Sequence, residues 1–381
     1  MSLQEEVIQA YIERFGERPL YIVRAPGRVN LIGEHTDYNE GFVLPMAIDR
    51  EIYIALSPRS DKRIELHSLD FENPANFSLS DFEKGDEGWV EYVKGMAWAL
   101  QEAGFALTGW QGVSAGNIPV GAGLSSSAAL ELAVARAFAT VSDLPWDAAR
   151  MALLGQKCEN MWVGVNSGIM DQMVSAAGKE GHALLIDCRT LETCAAPLPQ
   201  ETAVVILDTA TRRGLVDSAY NERRQQCEAA AAYFGVPALR DVDIATFNAK
   251  AEGLDPVTRK RAKHIITENQ RTLDAMAAML QDDPRVLGKL INESHASLRD
   301  DFEVSSDELN QIVACALRRT TAVFGARMTG AGFGGCAVAW CVIITPKPLP
   351  RRWLPVIKLL PVCRPTSTFV FPLRAPASPH Y

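Results

Sequence analysis

The spacing of apolar positions changes period several times along this chain, and each period predicts an element. Residues 4–15 read as an amphipathic helix. Tyr21–Val23 and Ile52–Leu56, rich in β-branched and aromatic residues, predict strands. Glu91–Ala103 predicts a helix, and Val113–Ala115 a short strand leading into a glycine-rich loop. Ser127–Val141 and Trp146–Val163 predict two helices, the first rich in alanine. His182–Asp187 and Thr202–Leu207 predict strands, and helices are expected at 215–234, 257–281, 284–298 and 306–317. The apolar run Cys336–Ile344 predicts a last strand. Strands mixed with helices thus precede a helix-rich half. That order implies an α+β fold of two lobes with no internal repeat, not a regular βαβ array. The expected boundary is the segment 190–201, with Pro197 and Pro199, dividing the chain into 1–195 and 196–381.

Composition narrows the class. A chain of 381 residues with 48% hydrophobic and 22% charged residues is neither disordered nor fibrous, and it can bury a core without disulfides. No apolar run approaches the roughly 20 residues of a membrane span. The acidic start of the chain lacks the apolar stretch of a secretory leader. Eight cysteines without a CxxC pair read as reduced thiols, so a cytoplasmic location is expected. A net charge of −8 argues against nucleic acid as a partner. The charge is uneven: residues 1–308 carry −17, whereas 309–381 contain no acid and carry +9.

Three segments concentrate chemistry. Gly27–Gly41 (GRVNLIGEHTDYNEG) packs Arg, Glu, His and Asp between glycines, a density suited to a polyhydroxylated ligand, although a solvated loop with internal ion pairs fits the composition equally well. Pro119–Ser127 (PVGAGLSSS) runs into the Ala128 helix. Its small residues let backbone N–H groups approach an anion at a helix N-terminus, and three serines exceed what an N-cap needs. It is not a Walker A loop. Arg327–Cys336 (RMTGAGFGGC) holds a literal GxGxxG, but a strand is expected to follow it and no acidic residue does, so a dinucleotide fold is not implied. Close approach of its backbone to a ligand or to another backbone is the better expectation. Asn166–Gln172 places Asp171 near a helix start, and Glu159 lies late in the preceding helix. The histidines show no metal spacing.

Together these motifs resemble the galactokinases, within the GHMP small-molecule kinases. Gly27–Gly41 resembles the galactokinase signature, Gly121–Ser127 the GHMP phosphate loop, and Arg327–Cys336 the third GHMP motif. Ser167–Gln172 and Ser294–Asp301 also match, and the likeness covers about residues 1–336. The resemblance implies a two-lobed GHMP kinase fold with the active site between the lobes. It implies ATP-dependent phosphorylation of α-D-galactose at its C1 hydroxyl, with ATP as co-substrate and Mg²⁺ as cofactor. Glu34, His35, Thr36, Asp37, Gly168 and Tyr220 would form the sugar site. Asp171 would be the base and Arg28 its neighbour, stabilising charge on the moving phosphoryl group. Gly121, Ala122, Gly123, Leu124, Ser125, Ser126 and Ser127 would wrap the ATP phosphates, and Ser127 and Glu159 would hold Mg²⁺. The implied partners are galactose and ATP alone, with no membrane and no nucleic acid, and the implied state is a monomer. A kinase for another sugar such as N-acetylgalactosamine, or a catalytically silent sugar and ATP sensor, are the alternatives. A silent sensor would be expected to lose Asp171, Arg28 or part of the serine loop, and this chain keeps them.

Residues 316–324 and 340–381 depart from the family pattern. The last 36 residues hold nine of the 21 prolines, which opposes the mixed-charge helix that normally follows the third motif. The expected cause is a shifted reading frame over both stretches, restored around Gly325–Cys336 and lost again near Trp340. The expected consequence is an intact site on a weakened second lobe.

Overall fold

The computed structural model describes residues 1–211, 216–319 and 322–343, together with two short strands at Lys358–Leu359 and Val370–Pro372. In chain order the strands are β1 (Tyr21–Asn30), β2 (Phe42–Val43), β3 (Pro45–Arg59), β4 (Arg63–Ser68), β5 (Ala75–Ser78), β6 (Gly109–Gly116), β7 (His182–Asp187), β8 (Thr193–Pro197), β9 (Thr202–Asp208), β10 (Val323–Met328), β11 (Cys336–Val342), β12 (Lys358–Leu359) and β13 (Val370–Pro372). The helices are α1 (Leu3–Phe15), α2 (Trp89–Glu102), α3 (Ser126–Val141), α4 (Ala148–Lys157), α5 (Met170–Ala177), α6 (Val216–Phe234), α7 (Ile244–Lys250), α8 (Pro256–Leu280), α9 (Pro284–Asp300) and α10 (Asp307–Arg319).

The strands form three sheets, ordered β13-β1-β3-β6-β4-β5, β10-β11-β9-β12 and β2-β7-β8. The fold is the expected α+β arrangement of mixed sheets with helices. β4 joins the large sheet parallel to β6, and its other pairings are antiparallel. Local signals set many ends. α1 opens on a capping box between Ser2 and Glu5 and closes on left-handed Gly16. α8 and α9 each begin with proline after an aspartate whose carboxylate accepts from two N–H groups of the first turn. β1 carries a bulge between Pro26 and Arg28 that turns its last residues out of register just before the Gly27–Gly41 motif continues as a loop.

Four apolar clusters hold these layers together, the smallest seating Val7 and Tyr11 of α1 on Ala55, Val113 and Ala115 of the large sheet. One lies between the large sheet and α2, α3 and α5, around Trp110, Phe138 and Met173. Another lies among the helices of the second half, around Phe302, Ile265 and Leu309. Between them is a core to which both halves contribute: Val29, Leu31 and Leu124 pack with Ile206, Met276, Leu287 and Trp340.

Some elements differ from the sequence expectation. The predicted Tyr21–Val23 and Ile52–Leu56 strands extend to 10 and 15 residues, and β4, β5, β8 and β10 were not anticipated. The predicted helix over 146–163 is α-helical only as α4. Cys158–Val163 is wound as a π-helical turn that ends on left-handed Gly164. Residues 316–319 complete α10, and β10 begins at Val323, within the first atypical stretch. In the second, Trp340–Val342 complete β11 against β9, and β12 and β13 lie on sheet edges. Expectations for residues 320–321 and the rest of 344–381, Ile344 included, lie outside the described residues. Among the described residues, no helix is long and apolar enough to cross a membrane.

Candidate active site

The centre of the site is an ion pair between residues 143 positions apart. Arg28, at the end of β1, donates through Nε to Asp171 Oδ1 and through Nη2 to Oδ2, both at 2.7 Å. This is the bidentate fork that only Arg supplies. Its third nitrogen, Nη1, donates to the Gly123 carbonyl at 2.6 Å, so one side chain joins β1, the serine-rich loop and α5. Arg28 is buried, and Asp171, in the first turn of α5, faces a cleft of about 220 Å³.

The loop before α3 is shaped for an anion. Gly121, Gly123 and Ser125 have φ of +68°, +75° and +61°, while Ala122 and Leu124 between them do not share that hand. Alternating hands turn successive N–H groups toward one side, the geometry of an anion nest. Ala122 and Leu124 bury their side chains in the shared core, which anchors the loop. Ser125 makes no capping bond to α3. Its hydroxyl donates to Asp171 instead, so a plain N-cap does not account for the serines. The GxGxxG segment closes over this loop. A Cβ at Gly330 would sit 3.1 Å from the Gly123 carbonyl oxygen and one at Gly335 2.9 Å from that of Ala122. Those glycines permit backbone-to-backbone contact, and β11 follows them, as expected.

The Gly33–Gly41 loop forms one wall of the cleft. Glu34 is buried; its carboxylate accepts from Asn30 Nδ2 and the Gly330 N–H, with Arg327 Nη2 3.6 Å away. Burial pushes its carboxyl above the ordinary range, and Arg327 and Arg28 oppose this. Asp37 is raised to about 7, chiefly by burial and then by the negative charges of Asp171 and Glu34. His35 is held neutral, with its pKa lowered to about 3 by burial. Its Nε2–H donates to the Ala331 carbonyl at 3.2 Å and its Nδ1 lies 3.0 Å from the Tyr38 hydroxyl, so both ring nitrogens are engaged by protein. Tyr220, from α6, packs 5.5 Å from the His35 ring and lines the cleft. Gly168 must be glycine, because a Cβ there would fall on the Asp37 carboxylate. Thr36 is placed differently from the expectation of a sugar contact: it is fully buried, and its hydroxyl faces the Gly33 and Phe42 carbonyls inside the loop at 2.8 and 2.7 Å.

Ser127 and Glu159 meet at the cleft's inner edge. The Ser127 hydroxyl donates to Glu159 Oε1 at 3.0 Å, and Glu159 Oε2 accepts from Ser167 Oγ at 2.6 Å and Gln172 Nε2 at 2.7 Å. The π-helical turn supplies Glu159, and burial raises its pKa against these three hydrogen bonds. Behind it, fully buried Glu131 accepts from the same Gln172 nitrogen at 3.0 Å. On the far side of Ser126 and Ser127 opens a second cleft, lined by Phe71, Trp89, Tyr92, Ile118 and Leu130. Phe71 and Trp89 stack at its mouth, centroids 5.8 Å apart and planes 17° apart. Sequence reading assigned nothing to Glu131 or to this aromatic cleft. Its walls come from segments far apart in the chain that share no motif.

A loop shaped for an anion between a carboxylate-lined cleft and an aromatic one, on this α+β scaffold, defines a small-molecule kinase of the GHMP type. The profile for the GHMP kinases N terminal domain matches residues 91–179, that for GHMP kinases C terminal matches 275–348, and the galactokinase galactose-binding signature matches 9–58. The chain is 37% identical to the galactokinase of Lactococcus lactis, whose crystal structure is complexed with galactose. The match covers 90% of this chain and 91% of that one, with a TM-score of 0.86. The chain belongs to the galactokinase family, and its activity is the phosphorylation of galactose. The mevalonate kinase of Methanococcus jannaschii (17% identity, 91% and 98% coverage, TM-score 0.63) and a D-glycero-D-manno-heptose 1-phosphate kinase from Bacteroides thetaiotaomicron (15%, 93% and 100%, 0.62) share the fold.

Proposed function

We propose that the carboxylate-lined cleft takes galactose with its C1 hydroxyl at Asp171, and that ATP lies along the serine-rich loop with its base in the aromatic cleft. The observation that carries this reading is the junction. Asp171 and Glu159 line the first cleft, Ser127 lines the second, and Ser127 and Glu159 are in direct contact. A phosphoryl group held by the loop would therefore point at a hydroxyl held beside Asp171. Transfer through a loose transition state asks mainly for positioning and charge stabilisation. Asp171 accepts the proton of the attacking hydroxyl, Arg28 stabilises charge as the phosphoryl group moves, and backbone N–H groups of the 121–127 loop hold the phosphates. The nucleotide base stacks against Phe71 and Trp89.

The Ser127 and Glu159 oxygens fit Mg²⁺. It is a hard cation that takes one or two protein oxygens, filling its shell with water and substrate phosphates. When bound with ATP it would neutralise phosphate charge. Selectivity follows from Glu34 and Asp37, which accept from hydroxyls at fixed positions and leave unpaired polar groups when a sugar misplaces one. One chain supplies both clefts, which supports a monomeric enzyme; we assign its lobes to 1–195 and 196–381, and its free thiols suit the cytoplasm. The test is phosphorylation of galactose, glucose and N-acetylgalactosamine side by side, with ATP and Mg²⁺. Galactose turnover is expected, reduced at least about 100-fold in Asp171→Ala with galactose binding retained. Unchanged turnover in that variant refutes the assignment of the base.

A further inference from the structure

The buried face of α8 is polar where a core helix would be apolar. His264, Glu268 and Thr272, at i, i+4 and i+8, are all fully buried, and Asn269 beside them nearly so. Each turns toward the sugar loop. His264 Nε2–H donates to the Glu34 carbonyl at 3.1 Å, and its other nitrogen lies 2.9 Å from Ser297 Oγ on α9. Glu268 Oε1 accepts from the Gly33 N–H at 3.0 Å, while its Oε2 takes Arg271 Nε at 2.8 Å. Asn269 Oδ1 accepts from the Phe42 N–H at 2.9 Å. These bonds fix both ends of the loop at residues separated from α8 by more than 220 positions. The loop needs fixing, because His35 has φ of +65°, a left-handed conformation that an ordinary side chain resists. The Phe302 ring lies between the two histidine rings, 4.6 Å from His264 and 4.8 Å from His35. It therefore carries the same restraint to the His35 side chain.

We propose that this polar face of α8 sets the conformation of the sugar loop, with His264, Glu268 and Asn269 as positioning residues for galactose recognition. None of them lines the sugar cleft; they act through the backbone on either side of Glu34 and Asp37. The charge on Glu268 is sustained despite burial, since Arg271, His264 and Arg327 bring its pKa down to about 2. The proposal rests on the reading that the Gly33–Gly41 loop holds the sugar.

The experiment measures KM for each substrate, and galactose binding by calorimetry without nucleotide, in His264→Leu and Asn269→Leu. His264→Gln keeps an N–H donor and Asn269→Asp keeps an acceptor. Asp37→Ala, on the loop itself, is the control. Each leucine variant is expected to raise KM for galactose about tenfold, the equivalent of one hydrogen bond to a buried group, with KM for ATP unchanged. The two conservative variants recover most of the loss. Wild-type galactose KM in the leucine variants, a parallel rise in both KM values, or no recovery by the conservative variants overturns the proposal. If Asp37→Ala also leaves galactose binding intact, the reading of the loop as the sugar site falls; if Asp37→Ala weakens binding and the α8 variants do not, only the positioning role falls. Should H264L not fold, the Asn269 pair decides by the same criteria.

Discussion

On the proposed reading that Asp37 holds the sugar, galactose affinity is expected to depend on pH in the physiological range. An ordinary aspartate has a pKa of 3.8, but burial, with the charges of Asp171 and Glu34 beside it, pushes this one to about 7. The ionised form offers all its lone pairs to sugar hydroxyls, and the protonated form offers fewer. For one group titrating near 7, the apparent dissociation constant at pH 6 is about tenfold that at pH 8. Calorimetric titration of galactose across that range, without nucleotide, measures it directly. Asp37→Asn is expected to bind weakly and without the slope. Stability moves the other way. The folded-state pKa lies above the unfolded one, so stability from protonated Asp37 is complete below about 4 and is lost as pH rises through about 7. The rise from 3.8 to about 7 corresponds to roughly 2–4 kcal/mol, since Asp37 is only partly screened by solvent. Asp37→Asn should therefore melt above the wild type at pH 8, with the difference shrinking toward pH 4. Flat galactose affinity between pH 6 and 8, or a less stable Asn variant at pH 8, would falsify this account of the site.

Gly168→Ala places a methyl on the Asp37 carboxylate. Steady-state kinetics should show kcat/KM for galactose down about 10- to 100-fold with KM for ATP unaltered, and an unchanged galactose constant would show that the two residues are not apposed. Trp89→Ala removes half of the Phe71–Trp89 stack and should raise KM for ATP about tenfold while sparing galactose; the opposite pattern removes the nucleotide from that cleft. For the atypical ending, a one-base insertion or deletion in the coding sequence should restore an acidic, proline-poor reading of residues 340–381. The restored chain should melt at a higher temperature, and the idea fails if no such single-base change exists.

Much of this site is legible from residue order alone because its motifs are local. The serine loop, the signature loop and the third glycine motif each lie within 16 residues, and their backbone constraints are written in the glycines that permit them. Apart from the stretch at 146–163, the predicted helices survive with small changes at their ends because apolar periodicity fixed them. What escapes sequence reading depends on partners distant in the chain. Glu131 reads as one acid in an alanine-rich helix until Gln172 ties it to Glu159. His264, Glu268 and Asn269 read as polar positions on a surface helix, because pattern alone assigns polar faces to solvent. The π-helical turn at Cys158–Val163 continues an apolar helical pattern and differs only in its hydrogen bonding. Thr36 sits within the signature, so the motif assigned it to the sugar, whereas its hydroxyl closes the turn.

The contact between the two glycine-rich loops also has a consequence for the order in which the enzyme comes into being. Every residue assigned to chemistry precedes position 221, and a ribosome has delivered all of them with more than a third of the chain still to come. Yet the serine-rich loop rests on Gly330 and Gly335, and the Glu34 carboxylate accepts from the Gly330 N–H. The site is therefore complete only with the β10–β11 hairpin in place, brought from the far end of the sequence. A chain cut short before β10 would carry every one of those residues yet lack the backbone against which the loop and Glu34 are set.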